Sequence, residues 1–239
     1  MAKAIQKMFD GIARRYDFLN HLLSAGRDKV WRKRAVARLD GREAPAVLDL
    51  CGGTGDFWKS WADRRKGNPG NARGWGVIAD FSLPMLREAR RKYVTGEGLG
   101  GAARPALVRM DALHPCFKAG SFDVVLCGYG MRNLDSLELG LEEVRRLLGP
   151  GGVFVTLEFF RPVTAFTRFF YHRLAPLSIP LLGGWVSSRR EAYAYLVQSI
   201  RGFCSVSEYL EKSRQRGFQA VFSVPCDFGI SHIVIGERG

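Results

Sequence analysis

The chain has 239 residues, 46% of them hydrophobic, and a net charge of +13. That length and apolar content suit one packed α/β domain and exclude a disordered or fibrous chain. Five cysteines without a C-x-x-C pair and four scattered histidines argue against a disulfide framework and a zinc site, so no metal is expected. No apolar run is long enough for a membrane span, and Met1 to Asp10 lacks the apolar core of a signal peptide, so a cytoplasmic protein is expected. The positive charge attracts nucleic acid, anionic lipid or acidic ligands alike.

In chain order, Ile5, Met8, Phe9, Ile12, Ala13 and Tyr16 recur at helical spacing and predict an amphipathic helix that Tyr16 to Asn20 interrupts. Val30 to Leu39 predicts a second helix, ended by Asp40-Gly41. From Val47 the pattern alternates between strand and helix. A strand at Val47 to Leu50 runs into a glycine turn and a helix from Gly55 to Lys66, followed by a loop at Gly67 to Gly74 and a strand ending at Asp80. Ser82 N-caps a helix to Tyr93, Gly96 to Gly101 is a loop, and Ala106 to Arg109 is the third strand. Phe122 to Cys127 is the fourth strand, Leu137 to Leu148 a helix, and Gly152 to Glu158 the fifth strand. Val163 to Trp185, aromatic and broken by prolines, predicts an inserted helical cap. Helices from Ser187 to Ile200 and Ser205 to Arg216 lead to two late strands, Phe218 to Val224 and His232 to Ile235, able to pair antiparallel. The alternation predicts a doubly wound, mostly parallel seven-stranded sheet.

In such a sheet a ligand lies beyond the carboxyl ends of the strands, so the turns after strands one to four should converge on one cleft. Gly52, Gly53 and Gly55 remove the Cβ atoms that would hold a ligand off the backbone. Asp80, at the end of strand two, is placed to accept ribose hydroxyls. A dinucleotide site would carry G-x-G-x-x-G and welcome phosphate, whereas this turn ends on Asp56. An acidic lip suits a cation: Asp49 or Asp56 beside the methionine part, and Asp80 on the ribose, of S-adenosylmethionine.

Leu48 to Asp56, the strand end at Asp80 and the Leu147 to Gly152 hairpin resemble class I, Rossmann-like methyltransferases. More narrowly, Tyr16 to Gly26 with Trp31, Gly130 to Asn133, Leu147 to Glu158 and Tyr193 to Ile200 resemble the ubiquinone and menaquinone C-methyltransferases across nearly the whole chain. The resemblance implies S-adenosylmethionine as cofactor, with contacts at Thr54, Asp80, Phe81, Asp111, Ala112 and Gly128 beside the Asp49 to Gly55 turn. It implies a lipid quinol substrate methylated on a ring carbon, and Tyr16, Arg132 and Asn133 are the candidates for the reacting face. There Arg132 would stabilise a developing phenolate while water, Tyr16 or an acid relays the proton.

The expected organisation is a helical lid over 1–43, a cofactor core over 44–160, a cap over 161–204 and C-terminal elements over 205–239. Peripheral contact with an anionic membrane is expected, a homodimer is possible, and no nucleic-acid module is evident. The family usually has Met at Leu19, His at Asp28, Lys at Gly149 and Ser at Phe160, and its C-terminal motif is loose at Gly229 to Ile233. Two other readings stay open: a methyltransferase on another small aromatic or on RNA, and a non-catalytic cofactor-binding subunit of a quinone assembly.

Overall fold

The computed structural model describes residues 2–13, 16–41, 46–65, 75–93, 104–169 and 187–239. Four short strands come first: β1 (Val47–Leu50), β2 (Gly76–Asp80), β3 (Ala106–Arg109) and β4 (Phe122–Gly128). They are joined by β5 (Leu148–Glu158), β6 (Phe218–Cys226) and β7 (Ser231–Arg238) in one sheet of order β3-β2-β1-β4-β5-β7-β6. The first five strands run parallel, and the C-terminal hairpin adds β7 antiparallel to β5. Every residue of β1 and β2 is buried, because helices cover both faces and leave no side for polar alternation. Strand order reverses beside β1, so the carboxyl ends of β1, β2 and β4 open a crevice.

The helices divide between the two faces. Trp31 and Ala35 of α3 (Arg27–Val36), Trp58 and Trp61 of α4 (Asp56–Arg65), and Tyr93 of α5 (Leu83–Tyr93) share one core with the inward side chains of β1, β4 and β5. Leu141, Val144 and Leu147 of α6 (Leu137–Leu147) and Tyr209 of α9 (Val206–Gln215) fill the other core. Serines start the helices as their chemistry favours: Met85 N–H donates to Ser82 Oγ, Leu139 N–H to Ser136 Oγ, and Ser205 with Glu208 forms a capping box.

Several boundaries differ from expectation. The N-terminal helix, α1 (Ala2–Ile12), ends before Tyr16, and Tyr16 to Asn20 does not interrupt a pattern but opens a second helix, α2 (Tyr16–Leu23). The fifth strand begins at Leu148, directly at the end of α6. Phe160, where the family usually has Ser, is buried and packs against Phe203 and Tyr209, so it belongs to the core. Of the expected cap, α7 (Ala165–Phe169) and α8 (Ser187–Gly202) are present; Phe170, Trp185 and the rest of 170–186 lie outside the described residues, as do the two glycine loops. No described helix is long and apolar enough to cross a membrane.

Candidate active site

Beyond Leu50 the chain turns through left-handed backbone at Cys51, Gly53 and Gly55, with φ of 53°, 55° and 83°. The three glycines of this turn do different things. A Cβ on Gly52 would sit 2.8 Å from the Asp49 carbonyl oxygen and from Ile78 Cγ2, and one on Gly55 would sit 2.5 Å from Tyr93 Cε2. Both glycines therefore serve close packing of β1 and α4 against β2 and α5. A Cβ on Gly53 would instead protrude between Tyr16 Cε1, 3.9 Å away, and Asp80 Oδ2, 4.0 Å away. That space belongs to a cleft that Gly53, Tyr16 and Asp80 all line.

Asp80 forms the centre of one wall. Its Oδ2 accepts Gly53 N–H at 2.9 Å and its Oδ1 accepts Ser82 N–H at 2.8 Å, which fixes the carboxylate while each oxygen keeps a lone pair for a ligand hydroxyl. Burial raises its pKa to about 6, against the pull of those two hydrogen bonds. Phe81, Met85, Met110, Asp111 and Ala112 continue this wall, and Gly128 closes it on the β4 side.

The other expected cofactor residues lie off the cleft. Asp49 is fully buried; its Oδ2 accepts Trp58 N–H at 2.9 Å at the start of α4, its Oδ1 has no partner, and burial raises its pKa to about 7. Thr54 is buried, and its hydroxyl donates to Asp17 of α2. Asp56 is no free acidic lip: Lys92 Nζ stands 3.2 Å from it and Arg32 4.0 Å, the same Lys92 also pairing with Asp17. The turn is thus tied to the N-terminal helices by charge, which its sequence spacing did not reveal.

Tyr16, Phe9, Tyr129 and Asn133 line the opposite wall. Phe9 is the hub of an aromatic cluster, its ring centroid 5.8 Å from Tyr16 and 6.4 Å from both Phe81 and Tyr195. Burial raises the Tyr16 pKa, more than the nearby positive charge of Arg132 lowers it. Asn133 Nδ2 donates to the Tyr129 carbonyl at 2.9 Å, and its Oδ1 accepts the Tyr195 hydroxyl at 2.7 Å. Tyr195 lies on α8, so the hydroxyl that holds Asn133 in this wall comes from a distant helix; its motif was visible, but its partner was not.

Arg132 is not on the cleft wall. Its Nη1 donates to Glu158 Oε1 at 2.6 Å and to the Tyr129 carbonyl at 2.7 Å, and its Nε donates to Ser199 Oγ at 3.3 Å. The Arg132 and Glu158 side chains are 6% and 0% exposed, so this is a buried ion pair joining β5, the turn after β4, and α8. These bonds tie Arg132 into the framework, and its positive charge acts on Tyr16.

The fold also gathers His21, Asp28 and Asp56, with ligand-type atoms within 4.8 Å of one another. Arg32 supplies the cation there: its guanidinium pairs with Asp28, which also accepts from Ser24 Oγ at 2.8 Å and meets His21 Nδ1 at 2.8 Å. Asp28, where the family usually has His, is 1% exposed and is the hub of this network.

The residues suit S-adenosylmethionine on two counts. Gly53 leaves open the space that a side chain would fill, and Asp80 offers a fixed carboxylate in that space. Residues 1–238 match the model of the ubiE/COQ5 methyltransferase family. The chain is 37% identical to demethylmenaquinone methyltransferase of Thermus thermophilus, over 97% of this chain and 100% of that one. It is 34% identical to the ubiquinone/menaquinone biosynthesis C-methyltransferase UbiE of Paracoccus denitrificans, over 99% of this chain and 91% of that one. Among solved structures, a SAM-dependent methyltransferase of Thermotoga maritima, described as a possible histamine N-methyltransferase, shares the fold with a TM-score of 0.64 at 15% identity, covering 98% of this chain and 99% of that one. With the cleft, the fold and the match all in agreement, the chain belongs to the ubiE/COQ5 methyltransferase family and is an S-adenosylmethionine-dependent methyltransferase.

Proposed function

We propose that the protein methylates a ring carbon of a polyprenylated quinol in menaquinone or ubiquinone biosynthesis. The observation that carries this reading is the pairing, in one cleft, of the Asp80–Gly53 wall with an aromatic and amide wall of Phe9, Tyr16, Tyr129 and Asn133. The relatives support it by their names, demethylmenaquinone methyltransferase and UbiE. When bound, S-adenosylmethionine supplies the electrophilic methyl group.

Asp80 would hold the ribose hydroxyls, Phe81, Met85, Asp111 and Ala112 would contact the adenine, and Gly53 and Gly128 would leave room for the rest beside the backbone. Asp49, Gly52, Thr54 and Gly55 act beneath them by fixing the turn. On the facing wall Tyr16 stays protonated, because burial disfavours its phenolate, and so it donates a hydrogen bond to a ring oxygen rather than taking a proton from it. Asn133 keeps one amide hydrogen for the same ring, its other groups being spent on Tyr129 and Tyr195. Orientation at near-attack distance is the main service of such a wall.

Helices α1 and α2 form the lid. Gln6 Nε2 donates to the Phe81 carbonyl at 3.2 Å, Ser82 Oγ to Asp10 and Thr54 to Asp17, so the lid is latched to the ends of β1 and β2. A lipid quinol is collected at a bilayer, and the charge of +13 favours an anionic one.

The test is purified protein with labelled S-adenosylmethionine and, in parallel, demethylmenaquinol and a demethoxy-type benzoquinol, followed by product mass. A methyl gain on one ring supports the proposal and selects the pathway; no gain on either ring refutes it.

A further inference from the structure

The loop between β6 and β7 is built unlike any other described turn of the molecule. Asp227, Phe228 and Gly229 all have left-handed backbone, with φ of 43°, 60° and 85°. A phenylalanine rarely adopts that conformation, and backbone of this kind persists only where its surroundings impose it. Asp227 supplies the restraint: Arg27 Nε and Nη2 grip its two carboxylate oxygens, each at 2.6 Å, and Trp31 Nε1 donates to it at 2.9 Å. The product of this restraint is a phenyl ring held outward, 85% exposed.

Phe228 is not alone. The Phe166 ring of α7 lies 5.5 Å from it, and Val163, Phe166 and Phe169 are themselves 56%, 45% and 54% exposed. Isolated apolar side chains on a surface need no explanation, but a cluster built around a clamped, strained turn does. Its edge is basic. Arg168 on α7 is exposed, and α3 exposes Arg34 on the same helix face as the Arg27 clamp. Aromatic side chains that project beyond a basic rim match the acyl boundary and headgroups of an anionic membrane.

The same clamp leads inward. Trp31 packs edge-on against Phe159 at 6.2 Å, and Phe159 stacks at 4.6 Å on Tyr129, which lines the cleft. A continuous aromatic path therefore joins the outward turn to the wall that faces the substrate.

We propose that Phe228, with Phe166, Phe169 and Val163, inserts into an anionic phospholipid bilayer while α3 contacts its headgroups, placing the cleft over its lipid substrate. This rests on the quinol reading for its purpose but not for its test. The full chain is sedimented with phosphatidylcholine vesicles with and without phosphatidylglycerol, beside Phe228→Asn. Asn tolerates left-handed backbone, so this variant removes the phenyl group without adding strain. The wild type should bind the phosphatidylglycerol vesicles, less so as salt rises, and Phe228→Asn should bind about tenfold more weakly, the scale of one phenyl ring lost from lipid. Its thermal midpoint and its turnover of a short-tailed demethylquinol in detergent should match the wild type.

Equal vesicle binding by the variant, or equal binding to vesicles without phosphatidylglycerol, overturns the proposal. So does light scattering that shows a wild-type dimer dissolved by Phe228→Asn, because the patch would then cover a second copy. Wild-type vesicle binding without turnover in detergent would refute the quinol reading and leave the docking surface standing.

Discussion

The two walls of the cleft are made by different means. The Asp80 wall is backbone architecture: a glycine turn, a strand end and two main-chain hydrogen bonds that fix one carboxylate. The Tyr16 wall is assembled from side chains on α1, α2 and the turn after β4, and the buried Arg132–Glu158 pair and the Asn133–Tyr195 hydrogen bond to α8 brace it. The first wall serves a cofactor common to a fold, so it can be rigid and local. The second serves a particular ring, and each of its contacts can be changed separately.

The largest effect should come from the framework of the second wall. Arg132→Met leaves Glu158 buried without its partner and should cost about 3–5 kcal/mol in denaturant unfolding, whereas Arg132→Met with Glu158→Leu should recover most of that loss. A single variant that unfolds like the wild type would mean that the pair holds nothing together.

Within the first wall, the glycines separate packing from binding. Gly55→Ala forces a Cβ into Tyr93 in left-handed backbone and should destabilise the fold by about 2–4 kcal/mol. Gly53→Ala meets no such clash, so it should cost about 1–2 kcal/mol of stability from its backbone alone and show its main effect as weaker cofactor binding in calorimetry. A reversal of that order would exchange the roles assigned to the two positions.

This contrast also explains what could be read in the sequence. The strand order, the turn and Asp80 follow from hydrophobic runs, glycines and an acid that are contiguous in the chain, so they are legible by local rules. Asp56 was misread as a lip because local spacing says nothing about Lys92 and Arg32, which neutralise it across the fold. The partners of Arg132 were illegible for the same reason: a motif places an arginine beside a cleft, but the buried Glu158 decides where its guanidinium points. Tyr16 was expected to end a helix, yet it begins one, since aromatic packing against Phe9 rather than helical propensity sets its place.

Asp80 connects the walls to pH. Its pKa of about 6 lies above its ordinary 3.8, so its contribution to stability is complete below about pH 4 and is lost as pH rises through 6. The carboxylate, however, is the better acceptor for a ribose and the better neighbour for a cation. Cofactor affinity should therefore rise through pH 6 while unliganded stability falls. Asp80→Asn should flatten both trends and weaken binding about tenfold to a hundredfold at neutral pH, the worth of charged hydrogen bonds. Parallel affinity and stability curves in the wild type would contradict the assignment.

The smallest effect tests the second wall alone. Tyr195→Phe removes the hydroxyl that holds Asn133 Oδ1 and nothing that touches the Asp80 side. One neutral hydrogen bond is worth about 0.5–1.5 kcal/mol, so stability should drop by no more than that. Cofactor affinity should not change, because the new phenylalanine keeps the ring that packs on Phe9, which links this position to Phe81. Turnover should fall several-fold through kcat, since an untethered amide still reaches the ring but spends less time in the geometry that orients it. If instead cofactor affinity fell with turnover, the walls would be one coupled unit, and the division between a backbone-built half and a side-chain-built half would not describe how this cleft works.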